Sequence, residues 1–149
     1  MPRLDHVNVV VSNMERSIAF YSRLLGMNVL MDRVLEGPWF QEVTGRPNAR
    51  ARCVILEGPS GGCRIELLAY DGGDGMPLAP NSLPATIGLR HFAVRVDDIE
   101  ACLATLDEPP LIIAVPREIV PVGKRMAYVR DPDGAIVELA EYGGAPSFN

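Results

Sequence analysis

A chain of 149 residues, 48% of them hydrophobic and 22% charged, is long enough for one compact domain with a substantial core. Its formal charge of −5, with no Lys/Arg cluster to offset it, argues against nucleic acid as a partner, because phosphate recognition needs a basic face. No apolar run approaches the roughly 18 residues of a membrane span, and the short stretch 7–11 does not make a signal peptide, so a soluble cytoplasmic protein is expected. Cys53, Cys63 and Cys102 form an odd set without C-x-x-C spacing, which points to reduced thiols rather than a disulfide framework or a cysteine zinc site.

In chain order, residues 4–11 form a β-branched run that predicts a strand. Ser12 and Glu15 then have capping-box spacing, and Met14, Ile18, Tyr21 and Leu25 recur at helical intervals up to a stop at Gly26. Residues 27–36 read as a second strand. Residues 37–50 read as a long loop carrying Trp39 and Phe40. Residues 51–57 and 63–70 are two strands joined by the turn Gly58-Pro59-Ser60-Gly61-Gly62. The Gly/Pro-rich segment 71–88 reads as a linker.

After the linker the pattern repeats. Residues 89–96 are a strand, Asp97 and Glu100 repeat the cap spacing, and Ile99, Cys102, Leu103 and Leu106 supply the apolar stripe. Residues 111–115 read as a strand, and residues 124–130 and 135–142 form a hairpin about Asp131-Pro132-Asp133-Gly134. The chain is thus one domain, 1–149, built from two βαβββ modules at about 4–70 and 89–142.

His6 and His91, the only histidines, occupy equivalent places near the start of the first strand of each module. Glu66 and Glu138 are equivalent in the last strand of each. If the modules are related by pseudo-twofold symmetry, the four side chains meet near its axis as two nitrogens and two carboxylates. Such a set suits one borderline divalent ion: Zn, Ni, Co, Mn or Fe(II). A lone strand-initial histidine or a lone strand glutamate is more often a satisfied or solvated residue. It is the repeat-equivalence of all four that favours a metal.

On these residues the sequence resembles the vicinal oxygen chelate superfamily, which includes glyoxalase I, methylmalonyl-CoA epimerase, extradiol dioxygenases and bleomycin- or fosfomycin-resistance proteins. The resemblance runs from about residue 4 to 142. It rests on D-H-V-N-V-V-V, S-I-A-F-Y-S-R-L-L-G-M, R-I-E-L-L, R-H-F-A-V-R-V-D-D-I and D-P-D-G-A-I-V-E-L. It implies an α+β fold in which paired βαβββ modules make a cupped, eight-stranded open barrel around one metal, held at the positions of His6, Glu66, His91 and Glu138. It also implies a homodimer, with the site inside one chain or shared between two. The pattern is closest to glyoxalase I-like and epimerase-like members, although Leu67-Leu68-Ala69-Tyr70 replaces the Asn-Trp-Gly stretch of glyoxalase I.

The resulting expectation is an enzyme that moves a proton at a carbon beside a carbonyl polarised by the cation, on a small oxygenated metabolite or thioester. Glu138 is the first candidate base and Glu66 the second. Strand alternation places Asn8, Arg64, Leu68, Ala93, Arg95 and Ile136 on the ligand-bearing faces. Of these, Asn8, Arg64, Leu68 and Arg95, with Trp39 and Phe40, are candidate substrate-binding residues. For the two aromatics the alternative is packing or a dimer contact. Two other functions fit the resemblance: a metal-dependent dioxygenase, and a non-catalytic binder of the drug-sequestering type. The complete ligand set favours an enzyme over the binder.

Overall fold

The computed structural model describes residues 1, 3–72, 75–77, 83–107, 112–119 and 123–143. Residue 111 and parts of the linker at 73–74 and 78–82 lie outside the described residues. The elements run β1 (Val7–Val10), α1 (Met14–Leu25), β2 (Asn28–Leu35), α2 (Pro38–Thr44), β3 (Ala51–Glu57), β4 (Arg64–Tyr70), β5 (His91–Val96), α3 (Ile99–Ala104), β6 (Ile112–Ile119), β7 (Lys124–Arg130) and β8 (Ile136–Tyr142). They form two compact units, Met1–Ser22 with Gly26–Pro77, and Arg23–Leu25 with Leu78–Asn149.

Each unit holds one four-stranded sheet, and the two sheets have the same topology: β1-β4-β3-β2 and β5-β8-β7-β6. In both, the first strand runs parallel to the last and the remaining pairs are antiparallel. The register is duplicated as well. Asn8 lies opposite Glu66, and Ala93 lies opposite Glu138. The outer strands are irregular in both sheets. β2 has a bulge between Val29 and Met31, and β6 shifts register between Ile112 and Ala114 and again between Ala114 and Arg117.

Helix starts fall one residue later than the capping-box spacing predicts, and by the same step in both units. Asn13 caps α1, its side-chain oxygen accepting from the Arg16 N–H; Asp98 caps α3 by accepting from Ala101. The α1 stop is as expected, with Gly26 left-handed at φ 62°. The buried seam of α1 is Met14, Ser17, Tyr21 and Leu24, whereas Ile18 and Leu25 are only half-buried. The helix therefore turns a small hydroxyl inward, and the Ser17 Oγ has no hydrogen-bond partner among the described residues.

Residues 37–50, expected as a loop, contain the helix α2. Pro38 supplies the fixed φ of a first helical turn, and Gly45, left-handed at φ 65°, ends the helix with its N–H on the Glu42 carbonyl. Its Phe40 packs with Ala49, Ala51, Cys53 and Leu68 on the same sheet face as Glu66, flanked by Met31, Leu35, Ile55 and Tyr70. The other face of that sheet carries the fully buried Val54, Leu56, Ile65 and Leu67. Above it Arg52 ties β3 both to Glu15 of α1 (2.6 Å) and to Asp32 of β2 (2.7 Å).

The β7–β8 turn is built around Asp131. Its buried carboxylate accepts the N–H groups of Asp133 (3.0 Å) and Ala135 (2.7 Å), and Gly134 takes a φ of 93°. Loss of this clamp leaves backbone donors unsatisfied, so Asp131→Ala should lower the unfolding free energy by about 1–3 kcal/mol. Ser17→Ala removes an unpaired buried hydroxyl and raises helix propensity, and should be neutral or stabilising by up to about 1 kcal/mol. Urea unfolding of both variants checks the pair. A destabilised Ser17→Ala would show that the hydroxyl is satisfied after all.

Candidate metal centre

His6 immediately precedes β1, and strand alternation puts it on the face shared by Asn8 and, across the parallel pairing, Glu66. Its Nδ1 lies 2.9 Å from the Asp5 carboxylate. An acceptor on the Nδ1 side leaves Nε2, 3.5 Å from Glu66 Oε2, as the nitrogen that could face a cation. The hydrogen bond from His6 holds the Asp5 carboxyl below the usual carboxylate range. The same Glu66 oxygen accepts from Asn8 Nδ2 at 2.9 Å, and Cys53 Sγ sits 3.5 Å from the other oxygen. Burial first, and the Glu66 charge second, push the Cys53 thiol up to about 12.

The second unit repeats the pair with different neighbours. His91 Nε2 lies 3.2 Å from Glu138 Oε2, and the Glu138 carboxylate is buried, with its side chain 5% exposed. The Lys124 ammonium donates to its Oε1. Burial alone would lower the Lys124 pKa, but the hydrogen bond and charge of Glu138 outweigh it and the net shift is upward. Tyr128, opposite Glu138 in the sheet, rests its ring 4.9 Å from the His91 ring. Its phenol is pushed up by burial and then by the Glu138 charge.

Two ligands on one dication, each bound at about 2.0–2.2 Å and meeting at right or tetrahedral angles, lie about 3.0–3.5 Å apart. The two Nε2–Oε2 separations fall at that spacing, and imidazole with carboxylate is a donor set for a borderline divalent ion. Each unit thus presents one imidazole and one carboxylate whose chemistry and spacing fit such an ion.

The remaining expected site residues divide. Asn8 is a hydrogen-bond donor to Glu66, so it orients that carboxylate. Phe40 and Leu68, expected to line a substrate pocket, are 3% and 7% exposed and belong to the packed core under α2. Trp39, in α2 and not in a loop, is exposed beside Phe40. Arg64 shares the Glu66 face but is engaged by Glu57 (2.9 Å), and the Arg95 guanidinium stacks 5.3 Å from the Tyr142 ring.

Asp5, Lys124 and Tyr128 were not anticipated. Hairpin counting from the Asp131 turn identifies Tyr128 as the residue facing Glu138, whereas the reach of Lys124 depends on a long side chain crossing a diagonal.

Among the described residues, Asp98, Glu100 and Glu141 also lie close together. Asp98 caps α3, Glu141 accepts the Ile99 N–H, and Arg125 bonds both Glu100 and Glu141, so the grouping has a structural role.

This mixed α+β fold, two βαβββ sheets in tandem, is that of a glyoxalase-family protein from Bacillus cereus, which superposes with a TM-score of 0.86 at 23% identity over 97% of this chain and 96% of that one. The chain belongs to the Glyoxalase/Bleomycin resistance protein/Dioxygenase superfamily, whose model matches residues 3–139. It is similar to the trypanothione-dependent glyoxalase I of Leishmania major, with a TM-score of 0.65 and 26% identity, covering 95% of this chain and 87% of that one. It is also 30% identical to a probable chloroplastic lactoylglutathione lyase of Arabidopsis thaliana over 97% of this chain, which spans 37% of that protein. No helix among the described residues is long and apolar enough to cross a membrane.

If Asn8 orients Glu66 for a cation, Asn8→Ala should weaken divalent-metal binding by about 10- to 100-fold, the usual effect of losing a group that positions a ligand. Competition with a chromogenic chelator measures it. An unchanged affinity would remove Asn8 from the site.

Proposed function

We propose that the protein is a divalent-metal-dependent enzyme of the glyoxalase type, in which His6, Glu66, His91 and Glu138 hold one ion. The reaction is proton transfer at a carbon beside a carbonyl, as in a lyase or an epimerase. The observation that carries this reading is the duplicated His–Glu pair, at 3.5 Å in one unit and 3.2 Å in the other, built on the same strand register. The four donors come together either within one chain or across a homodimer.

Once bound, the ion supplies Lewis-acid polarisation of the substrate carbonyl. The chain's own residues do the rest. Glu138, buried beside the Lys124 ammonium, takes and returns the substrate proton at a carboxylate oxygen. Glu66, tied down by Asn8, remains a fixed ligand. Tyr128 screens the His91–Glu138 pair from water on one side. The substrate is a small oxygenated metabolite or thioester with an acidic C–H next to its carbonyl. A cytoplasmic setting accords with three unpaired cysteines, Cys53, Cys63 and Cys102.

The test uses protein loaded in turn with Zn, Ni, Co, Mn and Fe(II), incubated in D₂O with 2-oxo and 2-hydroxy carbonyl compounds, hemithioacetals and acyl-CoA thioesters. Deuterium should enter the carbon beside the carbonyl without oxygen uptake. Glu138→Gln should reduce the exchange by about 10²- to 10⁴-fold while leaving the fold intact. Oxygen consumption would instead select a dioxygenase, and exchange with none of the metals would reject the reading.

A further inference from the structure

The two His–Glu pairs are alike in backbone and unlike in charge. In the first unit, Ala51 lies opposite Tyr70, Cys53 opposite Leu68 and Ile55 opposite Glu66. In the second, Lys124 lies opposite Tyr142, Met126 opposite Ala140 and Tyr128 opposite Glu138. Matching the two registers makes Lys124 the counterpart of Ala51, and Tyr128 the counterpart of Ile55. Glu66 is thus held by a neutral amide and a thiol, whereas Glu138 carries an ammonium on Oε1 while Oε2 faces His91.

We propose that Lys124 is a positioning residue that makes Glu138 the weaker of the two carboxylate ligands and thereby the one that lets go of the cation first when substrate binds. This rests on the metal site proposed above. A carboxylate shared with a cation has less charge to give to a second cation, and two cations flanking one buried group repel each other with little solvent between them. The lysine cannot swing freely away. It is largely buried, its side chain 16% exposed, and its ammonium lies 5.8 Å from the Tyr142 ring, whose other visitor is the Arg95 guanidinium. A neutral donor, such as Asn8 is to Glu66, orients its carboxylate without drawing off that charge. The duplicated fold alone would make the two glutamates interchangeable; Lys124 breaks the tie.

The sign of the predicted effect is unusual. Residues that hydrogen-bond a metal ligand normally raise metal affinity, and their loss costs about 10- to 100-fold. Here Lys124→Met and Lys124→Gln should tighten binding of Zn²⁺ or Co²⁺ by about the same factor, and Lys124→Arg, which retains the charge, should stay near the parent protein. The apo form of Lys124→Met should be less stable, because the buried Glu138 carboxylate keeps His91 beside it but loses its ammonium partner, and addition of the metal should restore it. Turnover at saturating metal should fall in the neutral variants.

Chelator competition on the full chain, alongside thermal unfolding with and without metal, reads all of this. If Lys124→Met does not fold without metal, it can be purified loaded, and the chelator concentration needed to strip it gives the same comparison. Tighter binding in the neutral variants supports the proposal, as does metal binding by Lys124→Met where the parent protein binds none. Unchanged or weaker binding overturns it while leaving the metal site standing. Absence of binding in every variant overturns both.

Discussion

In each unit the first strand lies parallel to the last, and that single pairing is what brings histidine and glutamate together. A histidine at the start of one strand and a glutamate in the middle of another have no local reason to meet. They meet because Asn8 stands opposite Glu66 and Ala93 opposite Glu138, so the residue two places earlier, on the same pleat, is the imidazole in both cases. A slip of one residue would turn every carboxylate to the opposite face. The register is guarded from two directions: the helices start from capped positions at Asn13 and Asp98, and the β7–β8 hairpin is clamped by Asp131.

The duplication supplies position, and the surroundings then assign character. Around Glu66 the neighbours are Asn8, Cys53 and the core under α2. Around Glu138, the more buried of the two, they are Lys124, Tyr128 and His91. Two residues of identical type at equivalent points of one fold therefore sit in different electrostatic settings. An enzyme that moves protons next to a cation needs such a division, because a group gripping the ion and a group carrying the proton have opposed requirements.

Much of this was legible in the residues. The repeat, the eight strands, the hairpin turns, the stop at Gly26 and the His–Glu equivalence follow from period-two alternation and Gly/Pro punctuation. Four things were not. The helix α2 is only seven residues, bracketed by Gly37 and Gly45 and opened by Pro38, and these breakers look the same at the ends of a short helix as inside a loop. The inward seam of α1 includes Ser17, which hydropathy assigns to the surface; packing against the sheet overrides it. Lys124 and Asp5 owe their place to side-chain reach, which spacing along one strand does not encode. The caps were misplaced by one residue in both modules, since Ser12-Asn13 and Asp97-Asp98 each offer two competent capping side chains in a row.

The irregular outer strands have a bearing on how the protein behaves in a crowded solution. β2 ends its sheet and shows Val29, Leu30 and Val34 to solvent, the composition of a template for unwanted strand addition. The bulge between Val29 and Met31 breaks the even ladder of donors and acceptors just where that apolar surface is richest, and β6 is interrupted twice. A neighbouring molecule sliding along either edge meets an interrupted ladder, so strand addition along the full edge is discouraged without placing a charge on the greasiest stretch of β2.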